Sequence, residues 1–276
     1  MPDELLTNPR AERVKAVRAL ASRSVRRRSG TFLVEGPQAV REAVGPGAPR
    51  VHDVYLTPAA ARRHPEIVEG AHGVGARVRT GTPEVLEAMS PDAQGVVAVV
   101  DQVRADLDDV LAARPRLVAV LAHVRDPGNA GTVLRAADAA GAGAVVLTAS
   151  SVDVHNPKAV RSTAGSLFHL PVVSGPELPE VVARLRAAGL TVLAADGSAP
   201  HDLDDLLDVA GTAPAGVPDL AAPTAWVFGN EAWGLREEDL ALADAAVRVP
   251  LRGRAESLNL ATAAAVCLYA SGRAQR

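Results

Sequence analysis

Apolar positions along the chain fall into two series of short runs, each broken by stretches of helical spacing. In the first, TFLVEG (31–36), VHDVYLT (51–57), RVRT (77–80) and GVVAVVD (95–101) have the length and β-branched content of strands. PQAVREAV (37–44), PAAARRH (58–64) and TPEVLEAM (82–89) lie between them and read as short helices, the last with Thr82 as N-cap over Glu84 and Glu87. DQVRADLDDVLAARP (101–115) reads as a short helix that Pro115 ends. This series predicts a small α/β domain over residues 1–102 and a linker over 103–116.

The second series differs in kind. LVAVLA (117–122), AVVLT (144–148), LTVLAAD (190–196), AWVFG (225–229) and AVRVP (246–250) are continuous rather than alternating, as expected of parallel strands covered on both faces. Helical stretches near 130–140, 157–167, 177–188, 236–243 and 258–271 separate them, so residues 117–276 are predicted to form a doubly wound parallel sheet. The stretch near 258–271 is almost wholly apolar and is expected to be a buried helix. The Ala-, Gly- and Pro-rich stretch 208–224 is expected to be a flexible loop.

Composition narrows the function. With 276 residues, 48% apolar and 22% charged, the chain has the make-up of a soluble globular protein. Its longest apolar run, Leu260 to Ala270, falls short of the ~18 residues of a membrane span. The polar, mixed-charge start MPDELLTNPRAERVK lacks the apolar centre of a signal peptide, so a cytoplasmic protein is expected. A single cysteine, Cys267, excludes an intramolecular disulfide and a cysteine-built zinc cluster. The seven histidines lack metal-ligand spacing, and no metal is expected. Neither a P-loop nor a G-x-S-x-G elbow is present. AAGAGAVVL (139–147) precedes a strand rather than following one, which argues against a dinucleotide fingerprint.

Net charge is only −3, yet residues 1–30 carry eight basic side chains against Asp3, Glu4 and Glu12. On a helical wheel Val14, Val17, Ala21 and Val25 share a face, with Lys15, Arg23 and Arg26 opposite. Such a stripe is either a solvated helix face or an electrostatic footprint for a phosphate backbone.

Three segments follow the ends of predicted strands, where ligands of parallel sheets bind. HVRDPGNAGTVLRAADAAG (123–141) places Asn129, a candidate helix cap, six residues before Arg135. WVFGNEAWGLREEDL (226–240) runs a strand into Gly229, Asn230 and Glu231, with Gly234 beyond; glycines there let a ligand approach the backbone. VPLRGRAESLNLATAAAVCLYA (249–270) sets Ser257 and Asn259 at the mouth of the apolar helix.

Together these segments, in this order and spacing, resemble the three motifs of the SpoU/TrmH family of RNA ribose 2′-O-methyltransferases. The resemblance covers roughly residues 117–272, with DVHNPKAVRSTAGSLFHLPV (153–172) similar to the family's linking stretch. RRRSGTFLVEGPQAV (26–40) resembles its small ribosomal-protein-like substrate-binding domain. The resemblance implies a trefoil-knotted α/β domain, a homodimer, S-adenosylmethionine as methyl donor and RNA as substrate, ribosomal RNA ahead of transfer RNA. It implies cofactor contacts at Gly229, Asn230, Val249, Leu251, Leu258 and Asn259. It makes Arg135, Asn129, Glu231, Ser257 and Asn259 the active-site set, with Arg135 catalytic. Arg10, Lys15, Arg18, Arg26, Arg27, Arg28 and Arg161 become candidate RNA contacts. The chain departs from the family's common pattern at Ala232-Trp233, at Leu251-Arg252 and at Leu260-Ala261-Thr262. Two other readings are open at this level: a non-catalytic RNA-binding or ribosome-assembly factor, and a methyltransferase acting on a base nitrogen.

Overall fold

A computed structural model describes residues 5–276; the first four, with Asp3 and Glu4 of the N-terminal charge count, lie outside the described residues. The described residues divide into two compact units, 5–103 with 155–168 and 104–154 with 169–276.

The first unit holds a four-stranded sheet of β1 (Thr31–Glu35), β2 (Val51–Leu56), β3 (Arg77–Thr80) and β4 (Val96–Asp101), in the order β1-β4-β2-β3. β4 runs antiparallel to both neighbours, and β2 and β3 are parallel. Proline opens the helices α3 (Pro37–Ala43), α4 (Pro58–Arg63), α5 (Pro65–Gly73) and α6 (Pro83–Met89). Its fixed φ suits a first turn, and its missing N–H would find no helical partner there. Thr82 stands at the N-cap of α6 but caps no backbone N–H. The Glu84 backbone N–H and the Thr82 hydroxyl together hold the Glu84 carboxyl below its usual range.

The basic N-terminal segment is not one helix. α1 (Glu12–Ala19) and α2 (Arg23–Ser29) meet at a corner over Leu20–Ser22. Val14, Val17 and Leu20 are buried against Leu33, Val85 and Met89, while Ala21 is exposed. Arg26, expected on the solvent side, is 1% exposed, and its Nη1 donates to the carbonyls of Leu20 and Ala21, each at 2.8 Å. It satisfies the carbonyls that the corner leaves without helical partners. Arg26 therefore cannot be an RNA contact.

Residues 155–168, expected within the second domain, pack with the first unit. There α9 (Pro157–Thr163) carries Arg161, which pairs with the buried Glu35 carboxylate and with Asp92 at 3.0 Å. The Phe32 ring meets His155 at 4.7 Å and Phe168 at 6.3 Å. Arg161 is thus held by two carboxylates, which argues against its assignment to RNA.

The second unit is built on a parallel seven-stranded sheet in the order β7-β6-β5-β10-β8-β11-β9. Its strands are β5 (Leu117–Leu121), β6 (Ala144–Leu147), β7 (Val172–Ser174), β8 (Thr191–Ala195), β9 (His201–Asp202), β10 (Thr224–Phe228) and β11 (Ala245–Arg248). β5, β6 and β10 are buried at every position, as their unbroken apolar runs require. β7, β9, α5 and α11 (Leu203–Asp208) are too short to show a helical or strand period and are not predicted from the sequence. The expected linker 103–116 is not one: α7 (Leu107–Ala112) buries Leu107 and Val110 in the core of this unit.

The stretch 208–224 is irregular but anchored. Asp219 Oδ1 accepts from the N–H groups of Gly211 and Ala221, and Leu220 is fully buried. The C-terminal helix α13 (Leu260–Ala274) is buried on one side only: Ala264, Cys267 and Leu268 face inward, whereas Val266 and Tyr269 are 40% and 52% exposed.

Candidate active site

All seven strands of the second sheet point the same way, so the segments that follow them gather along one edge. Strand order reverses between β5 and β10: β6 and β7 lie to one side, β8, β11 and β9 to the other. That switch point is where open parallel sheets leave a crevice for a ligand. The three motif segments follow β5, β10 and β11 and therefore converge there.

After β5, His123 adopts φ +59° and turns the chain toward α8 (Pro127–Ala139). Asp126, not Asn129, caps that helix, accepting the Asn129 N–H at 2.8 Å. Asn129 sits in the first turn, and its carboxamide is left to bond elsewhere. Its Nδ2 donates to Glu231 Oε1 at 3.3 Å, and its Oδ1 accepts from Asn259 Nδ2 at 3.1 Å. Asn259 is also the N-cap of α13, its Oδ1 accepting from Ala261 and Thr262. Glu231 also accepts the N–H groups of Asp126 at 2.9 Å and Arg125 at 3.2 Å. One side chain from each motif thus joins a single hydrogen-bonded chain, Glu231–Asn129–Asn259.

The loop that carries Glu231 is a tight turn closed by paired backbone hydrogen bonds between Asn230 and Gly234, at 2.8 and 2.9 Å. Gly234 has φ +69°, and a Cβ on Gly229 would overlap the Gly234 carbonyl, so the turn itself requires both glycines. The buried Asn230 carboxamide donates to the His123 carbonyl and accepts the Ala232 N–H, at 2.8 and 2.9 Å. It ties the segment after β10 to the one after β5.

Beside this chain opens a cavity of about 370 Å³ at the ends of β8, β10 and β11. Gly229, Asn230, Val249, Leu251, Ser257 and Leu258 line it, while Asn259 does not. Leu251 and Leu258 are 41% and 36% exposed, two large apolar side chains held open at its rim. Asp196, Gly197 and Glu256 also line it. None of these three stands out in the sequence, although Asp196 directly follows an apolar strand, the place where a ligand of a parallel sheet is expected. Among the described residues its lining includes the acidic Asp196, Glu231 and Glu256 and no lysine or arginine. A ligand with a flat apolar part and a cationic part fits such walls, the first against the leucines and backbone and the second near the carboxylates. S-adenosylmethionine, with its adenine, sulfonium and ammonium, is a molecule of that description.

Arg135 is not brought into the Glu231–Asn129–Asn259 chain. It lies six residues further along α8, about 9 Å of helix rise and roughly a third of a turn away. It is exposed and has no ionic partner among the described residues. Arg10, Arg18, Arg27 and Arg28 are exposed in the first unit, and Lys15 pairs with Glu12 at 2.7 Å on the surface.

Comparison with known proteins matches both units. A family model described as the SpoU rRNA Methylase family matches residues 116–269, and one described as an MRM3-like substrate binding domain matches residues 11–98. The chain is 34% identical to a 23S rRNA (uridine(2479)-2′-O)-methyltransferase of Streptomyces viridochromogenes, over 92% of this chain and 86% of that one. It is 34% identical to a 23S rRNA (guanosine(2553)-2′-O)-methyltransferase of Bacillus subtilis, over 94% and 95%. Among solved structures, a SpoU methyltransferase from S. viridochromogenes in complex with the cofactor AdoMet superposes with a TM-score of 0.79. That match is 32% identical and covers 95% of this chain and 98% of that one.

Proposed function

The chain belongs to the SpoU rRNA methylase family, and from that premise we propose that it transfers a methyl group from S-adenosylmethionine to a ribose 2′-hydroxyl of ribosomal RNA. The observation that carries this reading is the Glu231–Asn129–Asn259 chain, assembled from three separate segments beside a cavity with carboxylate and backbone walls. Ribosomal RNA is preferred to transfer RNA because the relatives named for 23S rRNA align with both units of the chain.

When bound, the cofactor supplies an electrophilic methyl on a sulfonium, so the protein's part is positioning, exclusion of water and help with one proton. Gly229, Val249, Leu251 and Leu258 hold the cofactor through backbone and apolar contacts. Asn129, fixed from both ends by Glu231 and Asn259, and Ser257 at the cavity wall orient the ribose. A guanidinium is a poor general base in proteins, so Arg135 has another part to play. Its exposed guanidinium suits a clamp on the RNA phosphate and a counter-charge to the developing alkoxide, and phosphate or water takes the proton.

Arg10, Arg18, Arg27 and Arg28 supply the sequence-independent pull on RNA phosphates. The working unit is a homodimer. The exposed Val266 and Tyr269 of α13, beside a cavity of about 420 Å³ lined by Ala139, Ala140 and Leu203, offer a face for a second copy. A knotted path through the second unit and a cytoplasmic location belong to the same reading.

The test is transfer of labelled methyl from S-adenosylmethionine to unmodified 23S rRNA and tRNA transcripts, with nuclease mapping of the product. Label recovered as one 2′-O-methyl nucleotide in 23S rRNA is expected. Label on a base nitrogen, or cofactor binding without transfer to either RNA, would overturn the reading.

A further inference from the structure

The chain has seven aromatic residues. Phe32, Tyr55, Trp226 and Phe228 are buried, as the core demands. Trp233 is 46% exposed and sits two positions from Glu231, at the tip of the turn that Asn230 and Gly234 close. Nothing in that turn needs an indole, since its closure uses backbone hydrogen bonds and the Asn230 side chain. The ring is also not part of the cofactor cavity: Ala232 and Gly234 line it, and Trp233 between them does not.

What the ring does touch is a cation. The Arg125 guanidinium lies over it, 5.3 Å from the centroid. Arg125 is exposed and has no carboxylate partner among the described residues. Its position against the ring is prepared by the site itself, because Glu231 accepts the Arg125 backbone N–H and so pins that segment to the turn. The result is a half-exposed indole with a positive charge over one face, within about 7 Å of chain from Glu231.

Resting on the proposed 2′-O-methyl transfer, we propose that Trp233, backed by Arg125, is the stacking platform for the base of the nucleotide being methylated. Sites recognised in single-stranded or looped RNA hold bases that have lost their stacking neighbours, and an aromatic or guanidinium plane replaces that stacking while the ribose enters the site. Stacking tolerates any base, so Trp233 positions the nucleotide while sequence is read elsewhere. Arg125 adds attraction for the adjoining phosphate. Trp233 is in this sense a positioning residue.

The experiment compares wild type with Trp233→Ala, Trp233→Phe and Arg125→Ala on unmodified 23S rRNA transcript. It measures methyl transfer, RNA affinity by filter binding and S-adenosylmethionine affinity by calorimetry. Trp233→Ala is expected to lower kcat/KM for RNA about tenfold or more, with cofactor affinity and melting temperature unchanged. Trp233→Phe should recover most of the loss, and Arg125→Ala should weaken RNA binding. Equal kcat/KM and RNA affinity in wild type and Trp233→Ala would overturn the platform, as would no recovery with Phe or a matching loss of cofactor affinity. Absence of transfer by the wild type would instead overturn the proposed reaction. In that case the filter-binding comparison still decides whether Trp233 meets RNA.

Discussion

The side-chain amide of Asn259 donates to the carboxamide oxygen of Asn129 at 3.1 Å, across 130 residues of sequence. The same Asn259 caps α13 through its other side-chain atom, so one residue both starts the helix and holds the site. The two roles are separable. Asn259→Asp keeps the capping oxygen but loses the donor to Asn129, whereas Asn259→Ala loses both. Asn259→Asp is expected to melt near wild type and, with the transition-state geometry loosened, to lose methyl transfer at least about tenfold. Asn259→Ala should lose about 1 kcal/mol of stability as well. Thermal melts beside turnover measurements check this, and full activity in Asn259→Asp would remove the bridge from the mechanism.

Arg135 stands apart from that bridge, so its removal should leave the cavity intact. Arg135→Ala is expected to lower kcat by about a hundredfold or more, the scale expected when a charge-stabilising donor is removed, while Arg135→Lys retains measurable activity. Calorimetry should find S-adenosylmethionine affinity unchanged in both. A parallel loss of cofactor binding would make Arg135 structural.

Three consecutive arginines are expected to behave differently. Arg26 is buried and donates to the Leu20 and Ala21 carbonyls, so Arg26→Ala should cost about 2–3 kcal/mol of stability. Arg27→Ala and Arg28→Ala should leave stability alone and weaken RNA binding. Removing one phosphate-neutralising side chain lowers the slope of log K against log salt by roughly 0.7–0.9. RNA titrations at several salt concentrations, paired with urea unfolding, separate the two effects.

Burial on α13 pushes the Cys267 thiol up to about 12 from an ordinary value of 9.0. The folded state therefore keeps its proton where the unfolded chain has lost it. This contribution to stability is complete below pH 9 and disappears as pH rises toward 12, at up to about 1.4 kcal/mol per pH unit. Urea unfolding between about pH 8 and pH 10 should show a steeper decline in wild type than in Cys267→Ala, and identical slopes would contradict the buried neutral thiol.

Much of the sheet and the polar site set can be read from the chain directly. The unbroken apolar runs of β5, β6 and β10 require strands covered on both faces, and glycines and polar residues directly after them mark a ligand edge. The resemblance to the SpoU/TrmH motifs implies that Asn129, Glu231 and Asn259 share one site, and the hydrogen bonds that join them are visible only in the fold. The helix cap is a different matter: residue type makes Asn129 a candidate, but Asp126 three residues earlier accepts the N–H that defines the cap.

The sequence by itself determined the longer strands and helices, since period and apolar content act locally, and its three spaced motifs carried the resemblance to the family. Tertiary structure alone decided the rest, because burial is a property of what packs on a residue. The corner over Leu20–Ser22 turned Arg26 inward, Glu35 and Asp92 claimed Arg161, and residues 155–168 joined the first unit. A parallel sheet with a reversal of strand order brought Asp196 and Glu256 to one cavity, and the Glu231 carboxylate pinned Arg125 beside Trp233. These last relationships join residues far apart in the chain, and no local pattern encodes them.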